Sequence, residues 1–203
     1  KTITLIAVTK NQPILAWQAL LESNIQDIGE NKVQETIKKI KLFPKSKNFK
    51  IHLIGHLQKN KVKKAVETFD VIQTVDTLQI AEKINKASKE KNKQQEIYIQ
   101  ININKDPQKN GMFEEEVISK VKKIISMNNI KLTGVMTILK KGLSKEQTMS
   151  SYENIKKIQE NIKKTICHTC TNSSMGMSKD YKEAIKAGAT HIRLGTNLFG
   201  NRT

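Results

Sequence analysis

The sequence predicts an α/β fold in which eight parallel strands close into a (β/α)8 barrel. Short β-branched runs alternate with longer amphipathic stretches along the whole chain, and the runs number eight. An amphipathic stretch lies between each consecutive pair, which fits a closed barrel; an open doubly wound sheet is the alternative. The 203 residues suffice for one well-buried core, and no linker or internal repeat marks a second unit, so residues 1–203 are expected to form a single domain.

The first strand is expected over residues 3–9, followed by a helix over 13–23 with Pro13 in its first turn, where the missing N–H has no partner to lose. A second strand over 25–29 leads to a helix over 32–42, a third over 50–54 to a helix over 59–68, and a fourth over 71–75 to a helix over 77–91. The fifth strand, 96–103, precedes a helix over 114–127, and the sixth, 131–137, precedes a helix over 145–164. A seventh strand over 167–173 is followed by a helix over 179–187 that Gly188 closes, and the eighth strand spans 191–194.

No run of about eighteen apolar residues is present. The first residues also lack the charged-then-apolar order of a secretory signal, so a cytoplasmic protein without a membrane span is expected. A formal charge of +17, from 36 basic against 19 acidic residues, raises nucleic acid or an anionic membrane as partners. The lysines are spread over nearly every helix instead of gathering in one arm, as solvated helix faces do, which leaves only weak salt-sensitive RNA binding. Cys167 and Cys170 are too few for a disulfide framework. Their C-x-x-C spacing, with His168 inside it, falls in a segment that reads as extended, so two structural cysteines are expected ahead of a metal or redox pair.

In barrels of this type the reacting groups sit on the loops that follow the strands. Lys10 ends the first strand after the uncharged run Leu5-Ile6-Ala7-Val8-Thr9. A lysine at an apolar barrel mouth loses proton affinity by desolvation and becomes an amine suited to imine formation; a solvated surface lysine is the alternative. Asn31 follows the second strand and suits either ligand oxygens or a helix cap. His56 reads as site lining ahead of an acid–base role, while His52 is expected to pack within its strand. The segments Ser173-Ser174-Met175-Gly176-Met177-Ser178 and Arg193-Leu194-Gly195-Thr196 follow the last two strands, the usual phosphate site of this architecture. Small residues there admit an anion to backbone N–H groups, and a helix beginning near Ser178 would add its positive end; ordinary turn chemistry with Ser178 as N-cap is the alternative.

These motifs, in this order, resemble the pyridoxal phosphate homeostasis proteins, whose barrel is similar to the N-terminal domain of alanine racemase. The resemblance rests on Leu5 to Lys10, Gly29-Glu30-Asn31, Ile54-Gly55-His56-Leu57-Gln58, Val75-Asp76, Gly134 to Ile138, Ser174 to Ser178 and Arg193 to Gly200. It implies pyridoxal 5′-phosphate as cofactor, held on Lys10 as an internal aldimine. Ser174, Gly195 and Thr196 are then expected to take the phosphate, Arg193 to lie against the pyridine nitrogen, and Asn31 and Met175 to line the cofactor. The implied role is a noncatalytic carrier that buffers the cofactor and passes it to apoenzymes, as a monomer or weak dimer. A weak amino-acid racemase is the alternative, but Tyr98, Tyr152 and Tyr181 do not match the position of the tyrosine that such enzymes draw from a C-terminal domain. Lys32, Asn110 and Asn197 depart from the family pattern, and no helix precedes the first strand. Asn197 is expected to disturb the phosphate packing.

Overall fold

The computed structural model describes residues 2–200. Eight strands, β1 (Thr4–Val8), β2 (Asp27–Glu30), β3 (Lys50–Leu53), β4 (Val71–Val75), β5 (Gln95–Ile101), β6 (Ile130–Thr137), β7 (Asn172–Ser174) and β8 (His191–Leu194), pair in sequence order and all in parallel. β1 also pairs with β8, Thr4 opposite His191 through Ala7 opposite Leu194, so the sheet closes and the open alternative is excluded. The helices are α1 (Leu15–Glu22), α2 (Val33–Leu42), α3 (Val62–Thr68), α4 (Leu78–Glu90), α5 (Glu114–Ile124), α6 (Lys145–Thr165), α7 (Tyr181–Lys186) and α8 (Thr196–Phe199). This is the expected (β/α)8 barrel, with a short 3-10 turn at Pro44–Asn48 and α8 beyond what the periodicity marked.

Local chemistry fixes several boundaries. Ser144 and Gln147 form a reciprocal capping box at the start of α6, and the Thr77 hydroxyl accepts from the Ile80 N–H to start α4. Asn24 and Asn92 adopt left-handed backbone just beyond α1 and α4, a conformation that asparagine tolerates better than most residues.

One boundary is corrected. The segment from Cys167 to Cys170 is a turn and not extended strand: the Cys170 N–H donates to the Cys167 carbonyl at 2.9 Å, and the Thr169 hydroxyl donates to the Leu132 carbonyl at 2.8 Å. Both cysteines are free thiols, and burial pushes the Cys170 thiol up to about 12. No group of three or more metal-ligating side chains occurs among the described residues.

Alternation along the strands divides the interior in two. Outward residues such as Ile28, Ile51, Leu53, Ile97, Ile99, Val135 and Ile192 pack with helix residues including Trp17, Ile84, Val121 and Ile155 into one apolar layer. The lumen holds a separate apolar cluster of Val71, Tyr98 and Met136, and its buried polar groups include His52, Gln73, Ser174, His191 and Arg193. No helix among the described residues is long and apolar enough to cross a membrane.

Candidate functional site

A cleft of about 1020 Å³ opens at the C-terminal ends of the strands. Lys10, Asn31, Arg193, Gly195 and Thr196 all line it, so five of the expected site residues meet there although they come from β1, β2 and β8 and the loops after them. Lys10 is half-buried. The chain around it is held on both sides: the Lys39 ammonium donates to the Thr9 carbonyl at 2.7 Å, and the Asn11 N–H donates to Glu35 at 3.1 Å.

Beneath Lys10 lies a buried ionic cluster. Lys39 donates to Glu30 at 2.7 Å, the Thr9 hydroxyl donates to the same carboxylate oxygen at 2.6 Å, and Trp17 donates to the Thr9 hydroxyl at 3.1 Å. The Lys39 ammonium also stands 5.9 Å from the centre of the Trp17 ring. Glu30 is fully buried and its second oxygen has no hydrogen-bond partner, so the carboxylate depends on Lys39 for compensation. Lys39 escaped the sequence reading because burial is a tertiary property; its only local mark is Glu35 one turn before it.

Asn31 is fixed by a close backbone approach. A Cβ on Gly55 would come within 2.3 Å of the Asn31 carbonyl oxygen, so glycine is required where the loop after β3 crosses the loop after β2. The Gly55 carbonyl in turn accepts from the Thr74 hydroxyl at 2.8 Å.

Arg193 is almost wholly buried, yet its guanidinium donates to the Ser174 hydroxyl at 2.8 Å and the Thr137 carbonyl at 2.7 Å and forms no ion pair among the described residues. Burial presses its pKa down, while Tyr152 and Asp180 oppose the shift. A buried guanidinium with only neutral partners, on the wall of a cleft, favours a ligand that carries negative charge or a lone pair.

Two expected residues stand elsewhere. The Ser174 hydroxyl points into the lumen, where it donates to Gln73 at 2.7 Å and accepts from Arg193, and Met175 is fully buried in the outer apolar layer. Neither lines the cleft. The residues that do are Met177 and Ser178, because Gly176 takes a left-handed φ of 91° and redirects the chain; a Cβ there would lie 2.5 Å from that of Ala184. The helix after this loop begins at Tyr181 and not at Ser178. Asn197 contacts this loop, its N–H reaching the Ser178 hydroxyl and its side-chain amide the Ser178 carbonyl, each at 3.4 Å.

His56 lies off this cleft. It is half-exposed, 3.1 Å from the Asp76 carboxylate, and lines a neighbouring cleft of about 650 Å³ with Lys32, Lys38 and Lys61; Asn31 is common to both clefts. Burial pushes the Asp76 carboxyl up from its ordinary value against the opposing charge of His56. His52 does more than pack within its strand, since both ring nitrogens are engaged, by Asp27 at 2.9 Å and Gln73 at 2.9 Å.

Fold and cleft together define a class of protein: a parallel barrel that brings a lysine from the end of its first strand and an arginine from its last to one cationic cleft. Residues 3–203 match the family described as alanine racemase, N-terminal domain. The pyridoxal phosphate homeostasis protein of Synechocystis is 39% identical over 201 residues, covering 99% of this chain and 92% of its own length, and that of Buchnera aphidicola from Acyrthosiphon pisum is 35% identical over 98% of both. PipY of Synechococcus elongatus, solved with pyridoxal phosphate bound, superposes with a TM-score of 0.91 at 31% identity, over 98% of this chain and 92% of that one. Alanine racemase of Clostridium difficile shares the fold at a TM-score of 0.82 and 16% identity, with 53% of its length covered. The chain belongs to the alanine racemase N-terminal domain family and, within it, to the pyridoxal phosphate homeostasis proteins.

Proposed function

We propose that this single-domain barrel binds pyridoxal 5′-phosphate reversibly and buffers or delivers it without turning over amino acids. The observation that carries the reading is Arg193, a buried guanidinium with no acid paired to it, on the wall of the cleft that Lys10 also lines. The Lys10 amine would add to the cofactor aldehyde with loss of one water, forming a Schiff base. Gly195, Thr196 and Ser178 would hold the phosphate through hydroxyl and backbone N–H donors, with Ser178 in the place expected for Ser174. Asn31 would line the cofactor, and Arg193 would face the ring nitrogen.

Carriage fits this chemistry better than catalysis. A permanently charged guanidinium beside the ring nitrogen disfavours its protonation and weakens the ring as an electron sink. Tyr98 lies in the lumen and Tyr152 in the outer layer, and none of the three tyrosines lines the cleft to act as a racemase acid–base group. The named relatives and the PipY complex support the cofactor. On this reading the recipients are apoenzymes that need pyridoxal phosphate, no nucleic acid or membrane takes part, and the protein works in the cytoplasm as a monomer or weak dimer.

The test is the absorption spectrum with added pyridoxal phosphate, before and after borohydride, with peptide mapping of the reduced adduct and an assay for alanine racemisation. A visible band converted to one stable adduct on Lys10, without racemisation, is expected, and Lys10→Ala should lose the adduct while keeping its far-ultraviolet circular dichroism. Adducts scattered over surface lysines would overturn the site, and measurable racemisation would overturn the noncatalytic role.

A further inference from the structure

A line of four hydrogen bonds crosses the lumen from the cleft toward the opposite end of the barrel. Arg193 on β8 donates to the Ser174 hydroxyl on β7 at 2.8 Å, and that hydroxyl donates to the Gln73 carbonyl oxygen on β4 at 2.7 Å. The Gln73 amide meets Nδ1 of His52 on β3 at 2.9 Å, and Nε2 of His52 meets the Asp27 carboxylate at the start of β2 at 2.9 Å. Arg193, Ser174, Gln73 and His52 are all buried, whereas the Asp27 side chain is 24% exposed.

The two ends fix the direction of every bond. A guanidinium has no acceptor, so Ser174 must accept from it, and its one hydrogen is then available for Gln73. An ionised carboxylate has no donor, so His52 must give Asp27 its Nε2 hydrogen. His52 Nδ1 is then free to accept from the Gln73 amide, and each hydrogen in the line has one acceptor. A doubly protonated His52 would need the Gln73 oxygen for Nδ1–H and would leave the buried Ser174 hydrogen without an acceptor. Burial pushes the Asp27 carboxyl up, but the hydrogen bond from His52 and the nearby Lys50 ammonium hold it below its ordinary value.

We infer that Asp27, through neutral His52, Gln73 and Ser174, is the remote counter-ion of Arg193 and sets the positive potential that the arginine presents to its ligand. Asp27, His52 and Gln73 are therefore positioning residues for a cleft that none of them touches. Every bond in the line donates away from the cleft, so each dipole has its negative end toward Arg193 and they polarise one another cooperatively. The effect on a bound cofactor rests on the assignment of Arg193 to the ring nitrogen; the line itself does not.

Two measurements separate these statements. In the cofactor-free protein, ¹⁵N NMR of the histidine rings at pH 7 is expected to show His52 as the neutral tautomer protonated on Nε2. The Nδ1–H tautomer or a doubly protonated ring would overturn the line whatever the cofactor does. With pyridoxal phosphate bound, Asp27→Asn is expected to lower the pH midpoint of the visible chromophore by about half a unit, the scale of one remote charge at an effective dielectric of about 20. His52→Leu, which keeps the Asp27 charge but breaks the line, should give a smaller shift in the same direction. His52→Gln keeps an acceptor toward Gln73 and a donor toward Asp27 and should restore the wild-type midpoint, provided thermal unfolding shows the variants folded. Equal shifts in His52→Leu and His52→Gln, or no shift in Asp27→Asn, would overturn the counter-ion role. If wild-type protein forms no chromophore on Lys10, the cofactor assignment fails and the His52 tautomer alone decides the line.

Discussion

On β3, Ile51 and Leu53 face the helices while His52 between them faces the barrel axis; on β8, Ile192 and Leu194 face out while His191 and Arg193 face in. The same strands thus serve an outer layer held by apolar packing and a lumen held largely by directed hydrogen bonds. Packing tolerates small changes of shape at graded cost, whereas a buried polar line loses a donor or acceptor outright when one member is removed. The difference teaches where function lies: the side that must present charge to a ligand is the side built of polar residues with defined partners.

The largest effect is expected where that division is broken, at the ion pair between Lys39 and Glu30 under the first loop. Lys39→Met leaves a fully buried carboxylate without a cation, and urea unfolding should show a loss of about 3–5 kcal/mol. A loss below about 1 kcal/mol would mean that Lys39 contributes little to holding Glu30 in the core. In the outer layer, Ile99→Ala opens a cavity beside fully buried neighbours and should cost about 3 kcal/mol, with the cofactor spectrum unchanged. A spectral change in that variant would show the two regions to be coupled.

Acid sharpens the comparison. Burial lowers the His191 pKa from 6.5 to about 4. The unfolded chain therefore takes up a proton that the native protein refuses, so the contribution is complete above pH 6.5 and is lost as pH falls toward about 4. The size is on the order of 2 kcal/mol, and His191→Asn should remove this part of the pH dependence of Tm. A wild-type Tm that is flat across that window would contradict a neutral buried His191. The smallest effect is chemical: at pH 8 iodoacetamide should label Cys167 well before Cys170, whose thiol burial holds near 12, and equal labelling would place Cys170 at the surface.

Much of this was legible in the chain, for physical reasons that also mark where legibility stops. Strand count and order follow from periodicity, a local property, and the barrel realises them. The residues from Cys167 to Thr171 carry β-compatible side chains and so read as strand, yet the Cys170 N–H closes a turn on the Cys167 carbonyl and strand pairing starts only at Asn172. Lys10, Asn31, Arg193, Gly195 and Thr196 could be placed at strand ends, and so at one mouth, from order alone. That Ser178 and not Ser174 lines the cleft depends on the left-handed backbone at Gly176, and Gln73 meets Ser174 across 101 residues of chain, which no local pattern marks. Lys39 is one of 36 basic residues, and only packing distinguishes it.

Closure of the sheet has a consequence for when the site comes into being. Lys10 lies just past one edge of the sheet, and Arg193, Gly195 and Thr196 lie on or just past the other, and only the pairing of β1 with β8 brings them together. Until the eighth strand docks beside the first, Lys10 and Arg193 stand at opposite ends of the strand order and line no common cleft. Such long-range joining is the slow step of parallel barrels, so acquisition of ligand is expected to report completion of folding itself.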